Sequence, residues 1–348
     1  MRSPYFSIVT VLGLAIVAGG SGQSTVGAAS DQVIQYHVPP VFEPVGEYQG
    51  FTYVARRMAR DQSADVARRS SFVVTYTGFS PEAQAAFQYA VDIWSGIVQS
   101  SVPIRINARL RTDYPPYVLG AAGTTTILAN FPNARRANTY YPGALANALA
   151  GTDLVTGDEI SADFNANFSW DYGTDGNARD RFDFVTVVLH EIGHGLGFFG
   201  TLRVQDNLGL WGMGPQPAIY DWFVTNGAGQ FLMDTKVFPN NSTVLANSLQ
   251  NDDVHYAGAV TRSVDPNGAN LFAPSPWLPG SSLVHLSDAL YPNGDVNSLM
   301  TPALAPGEVI HDPGPLATAM LADMGWTIAS AAPPAAPNVV GGLRLSHR

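Results

Sequence analysis

Val187-Val188-Leu189-His190-Glu191-Ile192-Gly193-His194-Gly195-Leu196-Gly197-Phe198 sets two imidazoles and a carboxylate at helical spacing. On a helix, His190 and His194 project from one face a turn apart, so both reach a single metal ion while Glu191 stands beside it. Zinc in catalytic sites takes three protein ligands and keeps a fourth position for water, so this stretch holds part of a site and the third ligand lies elsewhere. The flanks predict a helix. Asp183 caps its start, Phe184, Val185, Val187, Val188 and Leu189 are too densely apolar for an exposed helix, and Gly195 and Gly197 supply the stop. A buried helix rarely tolerates two histidines and a glutamate without a metal or partners, which weighs against a chance occurrence on a core helix.

Upstream, Phe72-Val73-Val74-Thr75-Tyr76-Thr77 reads as a strand, and Ser80-Pro81-Glu82 opens a helix with a capping residue and a proline at its first position. Ala83, Ala86, Phe87, Ala90, Trp94, Ile97 and Val98 follow helical spacing and give that helix one apolar face. Val102, Ile104, Ile106, Ala108 and Leu110 alternate with polar residues, as do Ile160, Ala162, Phe164, Ala166 and Phe168, which a loop from Asp171 to Asp180 separates from the histidine helix. The order predicts a twisted sheet backed by two long helices, an α+β arrangement.

With 348 residues, 46% hydrophobic and 13% charged, the chain is long and apolar enough for a sizeable core. Residues 1–29 read as a signal peptide: Arg2 precedes an apolar run from Ile8 to Ala18, too short to span a bilayer, followed by small residues through Ala29. Export to the extracellular space is therefore expected, with no stable membrane anchor. Residues 30–70 form an amino-terminal segment in which Arg56-Arg57 and Arg68-Arg69 are solvated charge or processing sites of a short pro-segment. Residues 71–328 form the main domain, and the Ala- and Pro-rich residues 329–348 a tail. There are no cysteines, so neither a disulfide nor a thiolate ligand is available. A formal charge of −10 argues against nucleic acid as a partner.

This order of elements, then His190-Glu191-x-x-His194-x-x-Gly197 and a later Ser298-Leu299-Met300-Thr301-Pro302, resembles the metzincin clan of zinc endopeptidases. In those proteins a methionine-containing turn lies under the metal, and Met300 and Gly197 are the matching positions. The resemblance implies a zincin fold with a mixed sheet, a backing helix, an active-site helix and a mostly irregular carboxy-terminal subdomain that ends in a closing helix, here Pro315 to Trp326. It also carries a departure: most metzincins place the third ligand three residues after the bending glycine, and Gly200 stands there.

Of the seven histidines, His37 lies in the amino-terminal segment and His347 in the tail, which leaves His255, His285 and His311. His285, shortly before Met300, resembles the distant third histidine of the leishmanolysin-like branch, where a long insertion separates it from the bending glycine. That resemblance implies His190, His194 and His285 as ligands of one zinc ion and an insertion over about 201–284. His255 is the runner-up, and Asp206 and Asp221 are candidate carboxylate ligands in unfamiliar contexts. A thermolysin-like glutamate ligand would have to be Glu308, the only glutamate after His194, in a Pro-Gly loop. Calcium sites near Asp171 to Asp183 or Asp265 to Gly268 lack the spacing of a calcium loop and read as turns.

The expected activity is a secreted zinc endopeptidase acting on protein or peptide substrates, with Glu191 as general base and then acid. The strand Ile160 to Phe168 is a candidate edge for an extended substrate, and core packing alone explains its alternation equally well. A noncatalytic zinc- or peptide-binding relative and a zinc amidase acting on cell-wall or small amide substrates are the alternatives.

Overall fold

A computed structural model of the chain describes residues 6–7, 34–37, 69–214 and 216–329. The signal-peptide reading, the dibasic pair Arg56-Arg57 and the tail from residue 330 onward lie outside these, apart from Phe6–Ser7, which pair with Ala303–Leu304. The strand Ile34–His37 runs antiparallel to Thr126–Ala129.

The architecture is mixed α+β, with six α-helices and several small sheets among the described residues. Its principal sheet contains β1 (Phe72–Thr77), β2 (Ile104–Arg111), β3 (Gly120–Thr124) and β4 (Ile160–Asn165), in the order β1-β2-β4-β3. β1, β2 and β4 are parallel, and β3 runs antiparallel along β4, with Ala122 opposite Ala162. Of the two readings of the 160–168 stretch, core packing holds and the edge does not: β4 ends at Asn165 and lies inside the sheet, whose outer strands are β1 and β3. Its alternation reflects packing within the sheet.

Helix α1 (Pro81–Ile97) begins where Ser80 Oγ accepts the Ala83 amide at 3.2 Å. Its apolar face packs on α3 (Phe184–Leu196), and the Trp94 indole N–H donates to the Leu189 carbonyl at 2.9 Å, joining the two helices inside the core. Helix α2 (Gly143–Ala150) precedes β4. Phe79, Phe87, Phe164 and Phe184 meet edge to face between α1, β4 and α3, which fixes the separation of helices and sheet.

The stretch after α3 is ordered. It contains a hairpin (Arg203–Gln205 with Leu208–Leu210), a 3-10 turn at Tyr220–Phe223, helices α4 (Thr243–Leu249) and α5 (Ala259–Val264), and a three-stranded sheet of Val224–Asn226, Val254–Tyr256 and Ala269–Asn270. The closing helix α6 (Gly314–Met324) anchors it. Asp323 accepts the Val260 and Thr261 amides at the start of α5, and the Tyr256 hydroxyl donates to the Met320 carbonyl.

Candidate metal centre

Asp183 caps α3 as expected, its Oδ1 accepting the Thr186 amide at 2.7 Å. The same oxygen is bonded to His311 Nε2 at 2.8 Å, so His311 serves the helix start and takes no part in the histidine cluster. The helix runs through Leu196, which corrects the reading of Gly195 as part of the stop. Gly195 is helical, and a Cβ there would lie 2.6 Å from Ile160 Cγ2, so the residue allows α3 to press against β4. Gly197 ends the helix, its amide donating to the Gly193 and His194 carbonyls. Phe198 and Phe199 then enter buried positions.

His190, His194 and His285 converge with all three fully buried, and are the one group of three or more potential metal-ligating side chains found among the described residues. His190 Nε2 lies 3.0 Å from His194 Nε2 and 3.2 Å from His285 Nε2. The Nδ1 atoms face main-chain carbonyls: His190 that of Leu299 at 2.6 Å, His194 that of Phe198 at 2.8 Å, and His285 that of Ser281 at 2.8 Å. A carbonyl only accepts, so each Nδ1 carries the proton and each Nε2 presents a lone pair to the centre. Burial holds the pKa of His190 and His194 well below the ordinary histidine value and lowers that of His285 to about 4, so the rings are neutral.

Three lone pairs facing one another in a buried space repel, and a cation among them turns that repulsion into ligation. Tetrahedral zinc, about 2.0–2.1 Å from each nitrogen, places its ligand atoms about 3.3 Å apart, close to the separations seen here. The donor set thus fits zinc.

The return of the chain to this centre rests on backbone bonds. The Phe272 amide donates to the His285 carbonyl, the Leu283 amide to the Phe272 carbonyl, and the Leu286 amide to the Met300 carbonyl. The Tyr220 hydroxyl also donates to the Leu283 carbonyl at 2.7 Å. The 3-10 turn Ser298–Met300 therefore both clamps the His285 loop and, through Leu299, orients His190. Met300 lies fully buried under α3, and a Cβ on Gly193 would meet its sulfur at 2.9 Å.

Gly200 faces a different partner. A Cβ there would lie 2.9 Å from Asp221 Oδ1, because the buried Asp221 carboxylate gathers the amides of Thr201, Leu202 and Ala218. Burial raises the Asp221 pKa to about 6 despite those bonds. Asp221 thus anchors the entry to the insertion rather than a metal. His255 pairs with Asp253, Asp206 sits in the exposed turn of the hairpin, and Glu308 accepts the Ala305 amide, so none of them joins the cluster.

Glu191 is fully buried, and neither carboxylate oxygen makes a hydrogen bond among the described residues. Burial pushes its pKa well above the usual carboxylate range, only partly offset by the neighbouring Ala122 backbone of β3. The carboxylate thus stands between the histidines and the edge strand. Sequence reasoning missed the carbonyls of Phe198, Ser281 and Leu299, which carry no side-chain signal, and β3, whose Gly120-Ala121-Ala122-Gly123 shows no alternation.

No curated protein and no solved structure matches the chain. The SPBPB7E8-like family model matches residues 77–267, a span that includes β2, β3, β4 and α3 with His190, Glu191 and His194 and ends before His285. That match covers more than half of the 348 residues and carries the centre's helix with the sheet beneath it, so the chain belongs to the SPBPB7E8-like family.

Proposed function

We propose that this protein is a secreted zinc endopeptidase of metzincin type, with the leishmanolysin-like arrangement in which the third histidine comes from beyond a long insertion. The observation that carries the reading is the convergence of three neutral Nε2 atoms beside a buried carboxylate that makes no hydrogen bond. His190, His194 and His285 would hold the metal, and Gly197 and Met300 shape the ground beneath it. Zinc in such a setting polarises a peptide carbonyl and brings the pKa of bound water near neutrality.

The remaining chemistry belongs to the chain. Glu191 takes a proton from the attacking water and delivers it to the leaving amine nitrogen, so one carboxylate serves as base and then acid. Its raised pKa suits it to holding that proton between the two transfers. The outer edge of β3, next to Glu191, presents backbone donors and acceptors to an extended peptide, which adds to the sheet as a further strand. This recognises main chain and requires no particular side chain.

A noncatalytic zinc protein has no use for a fully buried carboxyl beside the metal, which costs stability without a proton-transfer role. The test is hydrolysis of casein and of a fluorogenic peptide by the full chain, with and without a chelator and after zinc is restored. Chelator-sensitive cleavage is expected, and Glu191→Gln should keep its zinc while losing about 10²–10⁴-fold in rate. Undiminished cleavage by Glu191→Gln would refute the mechanism, and cleavage of cell-wall amides without cleavage of peptides would favour the amidase.

A further inference from the structure

Separate from the main core, Tyr114, Val118 and Ala121 form a small apolar cluster on which Tyr117 and Leu278 pack. Ala121 belongs to β3 and adjoins Ala122, the residue whose backbone borders Glu191. Tyr114, Tyr117 and Val118 come from the loop between β2 and β3. Asn165 holds that loop from the end of β4, its side-chain amide donating to the Pro115 and Val118 carbonyls at 2.9 and 3.1 Å. This wall is fixed.

Leu278 arrives from the other wall. Its carbonyl accepts the Ser281 and Ser282 amides, its own amide donates to Ser282 Oγ, and the Ser281 carbonyl orients His285. One tight turn thus carries both the apolar contact and the group that aims the third histidine. Tyr114 is buried and packs in the same cluster as Ala121 of β3. Glu191 and the three histidines are fully buried, so a substrate reaches them only after something moves.

We propose that Leu278, with Tyr114 and Tyr117, forms an apolar clasp over the Glu191 end of the edge strand, and that an extended peptide enters by putting an apolar side chain where Leu278 sits. This rests on the peptidase reading above. Parting the clasp uncovers apolar surface on Tyr114 and Tyr117, which an apolar side chain covers again and a polar one does not. The turn beneath Leu278 also orients His285, so the moving part is the Leu278 side chain and not the turn. The clasp therefore selects peptides with an apolar residue at one subsite.

The test uses the zinc-loaded full chain and its Leu278→Ala and Tyr117→Ala variants. The rate at which a chelator strips zinc is measured, together with kcat/KM for peptides that differ only by leucine or serine at successive positions. Both variants should release zinc about three- to tenfold faster and lose a similar factor of leucine-over-serine discrimination at one position, the scale of one partly buried apolar side chain. Unchanged stripping and discrimination overturn the clasp while wild-type cleavage keeps the peptidase reading. Faster stripping with unchanged discrimination overturns the exchange with a substrate side chain. Faster stripping with no cleavage by any form retains an access clasp and overturns the peptidase reading, and absence of zinc binding overturns both.

Discussion

His285 Nε2 lies 3.2 Å from His190 Nε2 across a separation of 95 residues, held there by backbone bonds that run from Phe272 through His285 to Met300. On the proposed zinc reading, removing the His285 imidazole leaves two ligands on one helix turn, too few to close a catalytic zinc site. Purified wild type should carry about one zinc per chain and His285→Ala almost none after dialysis, measured by elemental analysis. His255→Ala, which alters a side chain paired with Asp253, should retain its zinc. Full occupancy in His285→Ala would remove it from the ligand set.

Met300 fills the space under Gly193 with its thioether. Met300→Ala should open a cavity and lower stability by about 2–5 kcal/mol in denaturant unfolding, whereas Met300→Leu, close in volume, should cost under about 1.5 kcal/mol. Equal losses in the two variants would point to a role for the sulfur itself.

Asp183 joins the start of α3 to the loop beyond Met300 through Thr186 and His311. Asp183→Ala removes the helix cap and leaves the buried His311 without that partner, so it should destabilise by about 2–4 kcal/mol. Asp183→Asn keeps an oxygen for the Thr186 amide and should recover a large part of the loss in thermal unfolding.

Glu308 is buried in the loop before α6, and burial raises its pKa from 4.5 to about 7 against the opposing Ala305 amide. Between these values the unfolded chain ionises while the native carboxyl keeps its proton, so this group's contribution is full below pH 4.5 and is lost as pH rises through 7. Glu308→Gln has no such proton to lose. It should match wild type near about pH 4 and exceed its stability by about 3 kcal/mol near about pH 8. A stability difference that does not change with pH would contradict this assignment.

The parts legible in the sequence are those whose geometry is local. His190, Glu191 and His194 share one helix turn, Ser80 and Asp183 announce helix starts, and the alternations at 72–77 and 104–110 mark strands. A glycine near a helix end signals a stop, whereas Gly195 answers to Ile160 on another element and stays helical. The outer strand beside the centre is not legible, because alternation marks a pleated surface and says nothing of which strand is last in the sheet. Small residues at Gly120 to Gly123 hid the strand that is.

The amino-acid sequence by itself determined that two histidines and a carboxylate share one helix turn, and the α+β order of elements, because a helix repeat and a strand repeat are properties of neighbouring residues. Only the tertiary structure decided that His285, not His255 or His311, meets them, and that Gly200 turns toward Asp221. It also decided that Glu191 faces Ala122 on an edge strand. Those outcomes depend on main-chain carbonyls and close packing between distant segments, which no side-chain pattern encodes.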